Sequence, residues 1–173
     1  MKKVLVVVDM QNDFVDGALG SAEAQAIVHN VCKKIEEFQG DLYVTFDTHY
    51  ENYMQTLEGK KLPGPHCIEG SEGHALHPQV AAALAGKAYT PIIKKTFGSF
   101  EIAEKLQQTA AEEMEIELVG LCTDICVISN ALILRAAFPN TLIRVDQNCC
   151  AGVSEQTHEA ALSTMRCCQI DIV

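Results

Sequence analysis

The amino-acid sequence predicts an α/β fold in three layers, a doubly wound parallel sheet of six strands with helices on both faces. Six continuous apolar runs rich in β-branched residues recur along the chain, and such unalternated runs are typical of strands buried on both faces. Segments of helical character lie between these runs, so strand and helix alternate almost throughout. A length of 173 residues, 48% of them apolar, favours a single domain spanning residues 1–173.

The predicted strands lie at residues 4–8, 42–46, 89–93, 116–121, 142–145 and 170–173, and the predicted helices at residues 22–38, 76–84, 100–113, 125–137 and 155–165. Gly40 ends the first helix, Pro139 ends the fourth, and Ser154 is placed to cap the fifth. The segment 47–72 breaks the alternation because it is polar, rich in Gly, Pro and His, and without clean periodicity. It follows the carboxyl end of a strand, where open α/β sheets bind their ligands, so we expect a functional loop.

The charge of the chain limits the classes of partner. The formal net charge is −10 and no stretch concentrates Lys or Arg, which argues against nucleic acid and anionic membranes as partners. The first apolar run ends at Asp9, before it reaches the roughly 7–15 residues of a secretory signal, and no run approaches the ~20 residues of a membrane span. We therefore expect a cytoplasmic protein whose eight cysteines are mostly free thiols.

Polar residues follow the carboxyl ends of four predicted strands, and these ends meet at one edge of a parallel sheet. They are Asp9 after the first strand, Asp47 and His49 after the second, Lys94 and Lys95 at the third, and Cys122 and Cys126 after the fourth. Each has an ordinary explanation when taken alone, as a turn residue, a surface charge or a packed thiol. Their coincidence at one edge predicts a catalytic or binding site.

Cys126 lies where a predicted strand turns into a helix. The positive end of the helix backbone lowers the pKa of a thiol, and unpaired N–H groups there can hold an oxyanion, so the position favours a nucleophile. Two alternatives stay open from spacing alone. The thiol could simply pack beneath the helix, or it could form a redox pair with Cys122.

Asp47 and His49 stand two residues apart in the predicted loop, and His66 follows later, after a Gly-Pro turn. A carboxylate with imidazoles suits a divalent ion such as zinc, iron, manganese or cobalt. The alternative is that both histidines are loop residues that hydrogen-bond to the backbone.

Six short motifs occur in a characteristic order: DMQNDF at residues 9–14, GAL at 17–19, DTH at 47–49, PHC at 65–67, KKTFGSF at 94–100 and GLCTDICV at 120–127. Together they resemble the isochorismatase-like cysteine hydrolase superfamily, and within it the nicotinamidases. The resemblance covers residues 4 to about 130, and the remaining strand, helix and strand fit the same fold. It implies a hydrolase that acts on a linear amide C–N bond and, because family members often associate, a homo-oligomer.

The resemblance implies a catalytic triad of Asp9, Lys94 and Cys126. Cys126 would attack the amide carbonyl to give a thioester, Asp9 would take the thiol proton, and the Lys94 ammonium would stabilise negative charge and favour the thiolate. Lys94 fits the family spacing, whereas Lys95 comes one residue late, and alternation along a strand lets only one of the two face the site. By the same resemblance, the backbone N–H groups of Cys122 and Cys126 would form the oxyanion hole, and the peptide bond before Cys122 would be cis.

In nicotinamidases a similar Asp-x-His and Pro-His pair binds a divalent ion that takes the ring nitrogen of the substrate. The resemblance therefore implies a metal site formed by Asp47, His49, His66 and Glu58, with zinc favoured and iron, manganese or cobalt as alternatives. Nicotinamidases also place Trp or Phe shortly before the Pro-His pair to stack on the pyridine ring, but this chain contains no Trp. We expect Phe14, Tyr53 and Leu62 to supply the apolar walls of the substrate pocket.

Three functional hypotheses follow. The leading one is a cysteine amidohydrolase of NAD salvage that cleaves nicotinamide, or a similar small aromatic carboxamide, to the acid and ammonia. The second is another activity of the superfamily, on a carbamoyl or ureido compound or an isochorismate-like substrate. The third is a non-enzymatic thiol or binding module, against which the complete set of Asp9, Lys94 and Cys126 argues.

Overall fold

The computed structural model describes residues 1–109 and 113–173 and contains one sheet of six parallel strands. The strands are β1 Lys2–Val8, β2 Asp41–Asp47, β3 Tyr89–Lys94, β4 Met114–Leu121, β5 Leu142–Ala151 and β6 Asp171–Ile172, in the spatial order β3-β2-β1-β4-β5-β6. The helices are α1 Asn12–Val15, α2 Ala22–Glu37, α3 Leu57–Lys61, α4 Pro78–Leu84, α5 Phe100–Gln108, α6 Ile128–Ala137 and α7 Glu155–Cys167. The predicted fold class is confirmed.

The central strand β1 shows why the sheet needs helices on both faces. Its residues from Val4 to Val8 are all at most 1% exposed, and alternation sends successive side chains to opposite sides. Val6 joins the core covered by α5, α6 and α7, whereas Val7 joins the core covered by α2 and α4. Burying each such side chain stabilises the fold by about 1.5–3 kcal/mol, so the apolar runs commit the chain to three layers.

Capping residues fix where the longer helices begin. The side chain of Ser21 accepts a hydrogen bond from the N–H of Ala24 at the start of α2, and Ser154 does the same for Thr157 in a capping box at the start of α7. Pro78 occupies the first turn of α4, where its missing N–H costs no helical hydrogen bond. The predicted boundary at Ser154 is confirmed.

Several element boundaries differ from the prediction. β5 continues to Ala151 because its pairing with β4 shifts register between Leu118 and Gly120, so Cys149 and Cys150 lie within the strand rather than after it. The segment 47–72 contains a 3₁₀ turn at Tyr53–Gln55 and the short α3, neither long enough to show a periodicity. The helix predicted at 100–113 ends at Gln108, and residues 110–112 lie outside the described residues.

The strand order places a crevice at one edge of the sheet. β1 connects to β2 on one side, while the chain later returns to β4 on the other, so the carboxyl ends of β1 and β4 lie at the point where the order reverses. Open α/β sheets bind ligands at this switch point. None of the helices in the described parts of the chain combines the length and the apolar character that crossing a bilayer demands.

Candidate active site

Asp9 is the first residue after β1 and is completely buried. Its backbone has a φ of 47°, the left-handed region, which turns the chain sharply at the end of the strand. The hydroxyl of Thr45, on the neighbouring strand β2, donates to Asp9 Oδ1 at 2.5 Å and accepts from the Asp9 N–H at 3.1 Å. Burial raises the pKa of Asp9 above its ordinary value, against the opposing effect of Lys94.

Lys94 ends β3, and its ammonium lies at the centre of the site. It is 2% exposed, and Nζ lies 2.6 Å from Asp9 Oδ2, 3.3 Å from Asp47 Oδ1 and 3.6 Å from Cys126 Sγ. Burial would lower the pKa of this lysine, but its attraction to the anionic groups around it raises the pKa above the ordinary value, so the side chain is charged. Lys95 points the other way, is exposed, and has Nζ 5.7 Å from the centre of the Tyr50 ring.

Cys126 lies in a single π turn, Thr123–Val127, that leads into α6. Its side chain is buried. Burial raises the pKa of the thiol well above its ordinary value, and the charge of Asp9 raises it further, whereas the charge of Lys94 lowers it. The Lys94 ammonium thus favours the thiolate, as expected, but burial and the charge of Asp9 outweigh its effect. The balance of these effects favours the protonated thiol.

The backbone around Cys126 is held by a residue that the sequence did not single out. Asn130 is completely buried in α6, and its Nδ2 donates to the carbonyl of Cys126 at 2.8 Å and to that of Phe97 at 3.2 Å. Its Oδ1 accepts from the N–H of Ser99 at 3.0 Å. Asn130 thus links the turn that contains Cys126 to the loop after β3. A lone Asn inside a helix gives no sequence signal for this role.

The turn before Cys126 begins with a cis peptide bond between Leu121 and Cys122, which agrees with the implication of the family resemblance. The carbonyl of Cys122 accepts hydrogen bonds from the N–H groups of Ile125 at 3.1 Å and Val127 at 3.0 Å. These bonds close the turn and hold the backbone of Cys122 next to that of Cys126.

Four predicted metal ligands converge beside Lys94. The ligand atoms of Asp47, His49, Glu58 and His66 all lie within 4.8 Å of one another. Asp47 Oδ2 is 3.0 Å from His49 Nε2 and 3.5 Å from His66 Nε2, and Glu58 Oε1 is 3.5 Å and 3.6 Å from the same two nitrogens. Burial would raise the pKa of Asp47, but hydrogen bonds from the two histidines hold it well below its ordinary range. Two imidazoles and two carboxylates at this spacing fit a divalent cation.

Local hydrogen bonds explain how the loop brings His66 to this cluster. The N–H of His49 donates to the carbonyl of Cys67 at 2.9 Å, and the N–H of Glu69 donates to the carbonyl of His49 at 2.8 Å, so His49 and residues 67–69 lie side by side. His66 Nδ1 lies 2.8 Å from the carbonyl of Gly64. A proton on Nδ1 satisfies that carbonyl and leaves the Nε2 lone pair facing the cluster, as metal-binding histidines require.

Tyr53 does not line the pocket, contrary to the prediction. It is 1% exposed, its hydroxyl donates to the carbonyl of Leu62 at 2.8 Å, and its ring packs edge-on against His49 and His66 at 4.8 Å and 5.2 Å between centroids. The 3₁₀ turn buries the side chain behind the imidazoles. Tyr53 therefore supports the histidines and does not form a wall for a ligand.

A cavity of about 450 Å³ opens onto both halves of the site. It is bordered by Asp47, Glu58, His66 and Cys126, and its apolar walls come from Phe14, Leu19, Leu62, Phe97, Ile125 and Val153. Two of the three predicted pocket residues, Phe14 and Leu62, are thus found there. Leu19, Phe97 and Ile125 belong to motifs of the family resemblance, whereas Val153 lies outside them.

Comparison with known proteins agrees with this geometry. The chain matches the Isochorismatase domain family over residues 3–172. It is 29% identical to the nicotinamidase/pyrazinamidase of Mycobacterium tuberculosis over 189 residues, covering 99% of this chain and 98% of that protein. The crystal structure of the nicotinamidase/pyrazinamidase of Bacillus subtilis is similar with a TM-score of 0.88 and 26% identity, covering 100% of both chains. The pyrazinamidase of Pyrococcus horikoshii in complex with zinc shares the fold, with a TM-score of 0.83, 24% identity and coverage of 100% of this chain and 99% of that one. The chain therefore belongs to the isochorismatase domain family.

Proposed function

We propose that the protein is a metal-dependent cysteine amidohydrolase that cleaves nicotinamide, or a similar small aromatic carboxamide, to the acid and ammonia. The observation that carries the proposal is one cavity bordered by both the Cys126 thiol and the cluster of metal-ligating side chains. Family members named as nicotinamidases and pyrazinamidases support the same activity. Hydrolysis of nicotinamide would place the protein in NAD salvage.

The first step follows from the positions of three buried groups. As Cys126 Sγ attacks the amide carbon, the thiol proton passes to the carboxylate of Asp9, which has the raised pKa that a general base needs. Lys94 lies 2.6 Å from that carboxylate and 3.6 Å from the sulfur, so negative charge that moves from one to the other stays beside the ammonium. We assign proton transfer and attack to one step, because the raised pKa of the thiol disfavours a free thiolate before attack.

The later steps reuse Asp9. We assign the developing oxyanion to the backbone N–H groups of Cys122 and Cys126. Asp9 returns its proton to the amide nitrogen, the C–N bond breaks, and ammonia leaves a thioester on Cys126. Asp9 then takes a proton from the attacking water, the C–S bond breaks, and the acid departs while the thiol regains its proton.

The metal half of the site would be held by Asp47, His49 and His66 together with Glu58. The donor set of two imidazoles and two carboxylates fits zinc, and iron, manganese and cobalt accept the same donors. The bound ion would supply a Lewis acid that accepts a ring nitrogen of the substrate. Asp47, His49 and His66 are buried and Glu58 is half-buried, so the ligand set is largely shielded from bulk water.

The charge of the cavity favours a neutral amide over the other substrates of the superfamily. Carbamoyl amino acids, ureido acids and isochorismate all carry carboxylates, which need a cationic partner when they are buried. Among the described residues that border the cavity, none is Lys or Arg, and the carboxylates of Asp47 and Glu58 would offset the two positive charges of a bound divalent ion. Phe14 and Phe97 instead supply aromatic side chains to the lining of the cavity, which contains no Trp.

An ammonia-release screen over nicotinamide, pyrazinamide, carbamoyl amino acids and ureido acids tests the proposal. We expect turnover of the two aromatic amides, complete loss of turnover in Cys126→Ala, and full activity in the matched control Cys167→Ser, which changes an exposed thiol at the end of α7. We also expect about one zinc per chain by elemental analysis and loss of activity on chelation. Turnover that survives Cys126→Ala would refute the mechanism, and full activity without metal would refute the metal role.

A further inference from the structure

Gln11 is completely buried, and both ends of its side-chain amide are bonded to main chain. Oε1 accepts from the N–H of Asp47 at 2.8 Å, while Nε2 donates to the carbonyl of Asp47 at 2.9 Å. Nε2 also donates to the carbonyl of His74 at 2.8 Å. The side chain therefore hydrogen-bonds to the peptide groups on both sides of the Asp47 Cα and connects them to the segment that contains His74.

The end of strand β1 explains why Asp47 needs these hydrogen bonds. The pairing of β1 with β2 stops at Val8 and Thr45, because the chain turns away at Asp9. β2 continues for two more residues, and on its other side Asp47 still pairs with Lys94. The N–H and C=O of Asp47 face the side that β1 has left, where they would lack strand partners. The amide of Gln11 supplies one acceptor and one donor at that place, as a continuation of strand β1 would.

We propose that Gln11 is a positioning residue for the metal site, and that it works by replacing the missing strand neighbour of Asp47. The inference rests on the proposed metal role of Asp47. With the backbone held on both sides, the carboxylate is fixed so that Oδ2 faces the two histidines and Oδ1 faces Lys94 Nζ at 3.3 Å. Without these hydrogen bonds, the backbone of Asp47 at the end of β2 would be free to rotate. Metal binding would then have to order its carboxylate.

The chemistry of the position selects glutamine. A glutamate has the same length, but it would direct a charged oxygen at the two carbonyls to which Nε2 now donates, and neither carbonyl can donate a hydrogen bond to it. An asparagine keeps the amide but is one methylene short of spanning the gap. A methionine keeps the volume and loses both the donor and the acceptor.

Zinc affinity of the purified protein tests the proposal, measured by competition with a chromophoric chelator at a temperature where circular dichroism shows each variant folded. We expect Gln11→Met and Gln11→Asn to weaken zinc binding by about 10- to 100-fold, the range found for residues that orient metal ligands. The matched control is Asn12→Ala. It removes the hydrogen bond that the Asn12 side-chain amide donates to the carbonyl of Glu72, and it leaves the hydrogen bonds to Asp47 in place. Its zinc affinity should stay within about twofold of wild type.

A second control separates positioning from general stability. Arg135 donates to the carbonyls of Thr141 and Gln169, far from the site, so Arg135→Met should lower the melting temperature without changing zinc affinity. If Gln11→Met and Gln11→Asn bind zinc as tightly as wild type, the positioning role is refuted while the proposed metal site stands. If wild type itself binds no zinc, the proposed metal site falls and the role of Gln11 falls with it.

Discussion

Replacing Thr45 with Val isolates how Asp9 is prepared to act as a base. The two side chains have nearly the same shape, so the core of β2 stays filled, but the substitution removes the hydroxyl that donates to Asp9 Oδ1 at 2.5 Å. It also leaves the N–H of Asp9 without its acceptor at 3.1 Å. Because Thr45 lines neither the cavity nor the metal cluster, any change in the reaction must act through Asp9.

The magnitude follows from the bond that is lost. A hydrogen bond to a charged group contributes about 1.5–3 kcal/mol, and one pKa unit corresponds to about 1.4 kcal/mol. This bond lowers the pKa of Asp9, so its removal should raise that pKa by a further 1–2 units or so. Asp9 must be ionised to take the thiol proton, so activity falls as the pH drops through its pKa. The acid limb of kcat/KM should therefore move to higher pH by about 1–2 units, while the plateau falls by less than about tenfold because the carboxylate has become a stronger base.

The assay is ammonia release from nicotinamide across the acid range, with Thr164→Val as the matched control. Thr164 lies in α7, and its hydroxyl donates to the carbonyl of Ala160 in the same helix. Its substitution should leave the acid limb in place. An acid limb in Thr45→Val that coincides with wild type, in a protein that is folded by circular dichroism, would show that Thr45 does not set the basicity of Asp9.

Three further predictions concern the remaining parts of the site. Lys94→Met should abolish turnover and lower the free energy of unfolding by about 3–5 kcal/mol in urea titrations, because it leaves two buried carboxylates without their cation; unchanged stability would contradict the central place of the ammonium. Phe97→Ala should raise KM for nicotinamide by about three- to tenfold with little change in kcat, since the ring only borders the cavity, and a fall confined to kcat would argue against a wall. Iodoacetamide at neutral pH should modify the exposed Cys167 before Cys122, because burial raises the pKa of Cys122 to about 12; peptide mapping that finds the reverse order would contradict the described environment of Cys122.

The sequence predicted the layers and the strand count because the apolar runs of a parallel sheet are long and unalternated, as in β1. It did not predict the extension of β5 to Ala151, since a shift of register depends on the neighbouring strand and leaves no local pattern. Short elements such as α1 and α3 were also missed. A helix of one turn is stabilised by what packs around it rather than by its own periodicity.

The catalytic residues were easier to predict from the sequence than the residues that position them. Asp9, Lys94 and Cys126 stand at strand ends and match family motifs, and the structure brings them into contact. Thr45 and Asn130 act through hydrogen bonds to backbone or to one carboxylate, and threonine in a strand or asparagine in a helix has many ordinary uses. The effect of burial on the Cys126 thiol was likewise hidden, because it depends on how completely the fold excludes water.

The single positive charge of Lys94 is shared by two carboxylates, so substitutions at the three residues should be coupled in their effects. Losing Asp47 leaves the ammonium wholly to Asp9, and losing Asp9 leaves it wholly to Asp47, so the effects of the two substitutions should not add. Losing Lys94 first would instead leave both carboxylates facing each other across the space it filled. The order of two such substitutions therefore matters: a protein that first loses the Asp47 carboxylate keeps Lys94 paired with Asp9, whereas one that first loses Lys94 leaves both buried carboxylates without that cation.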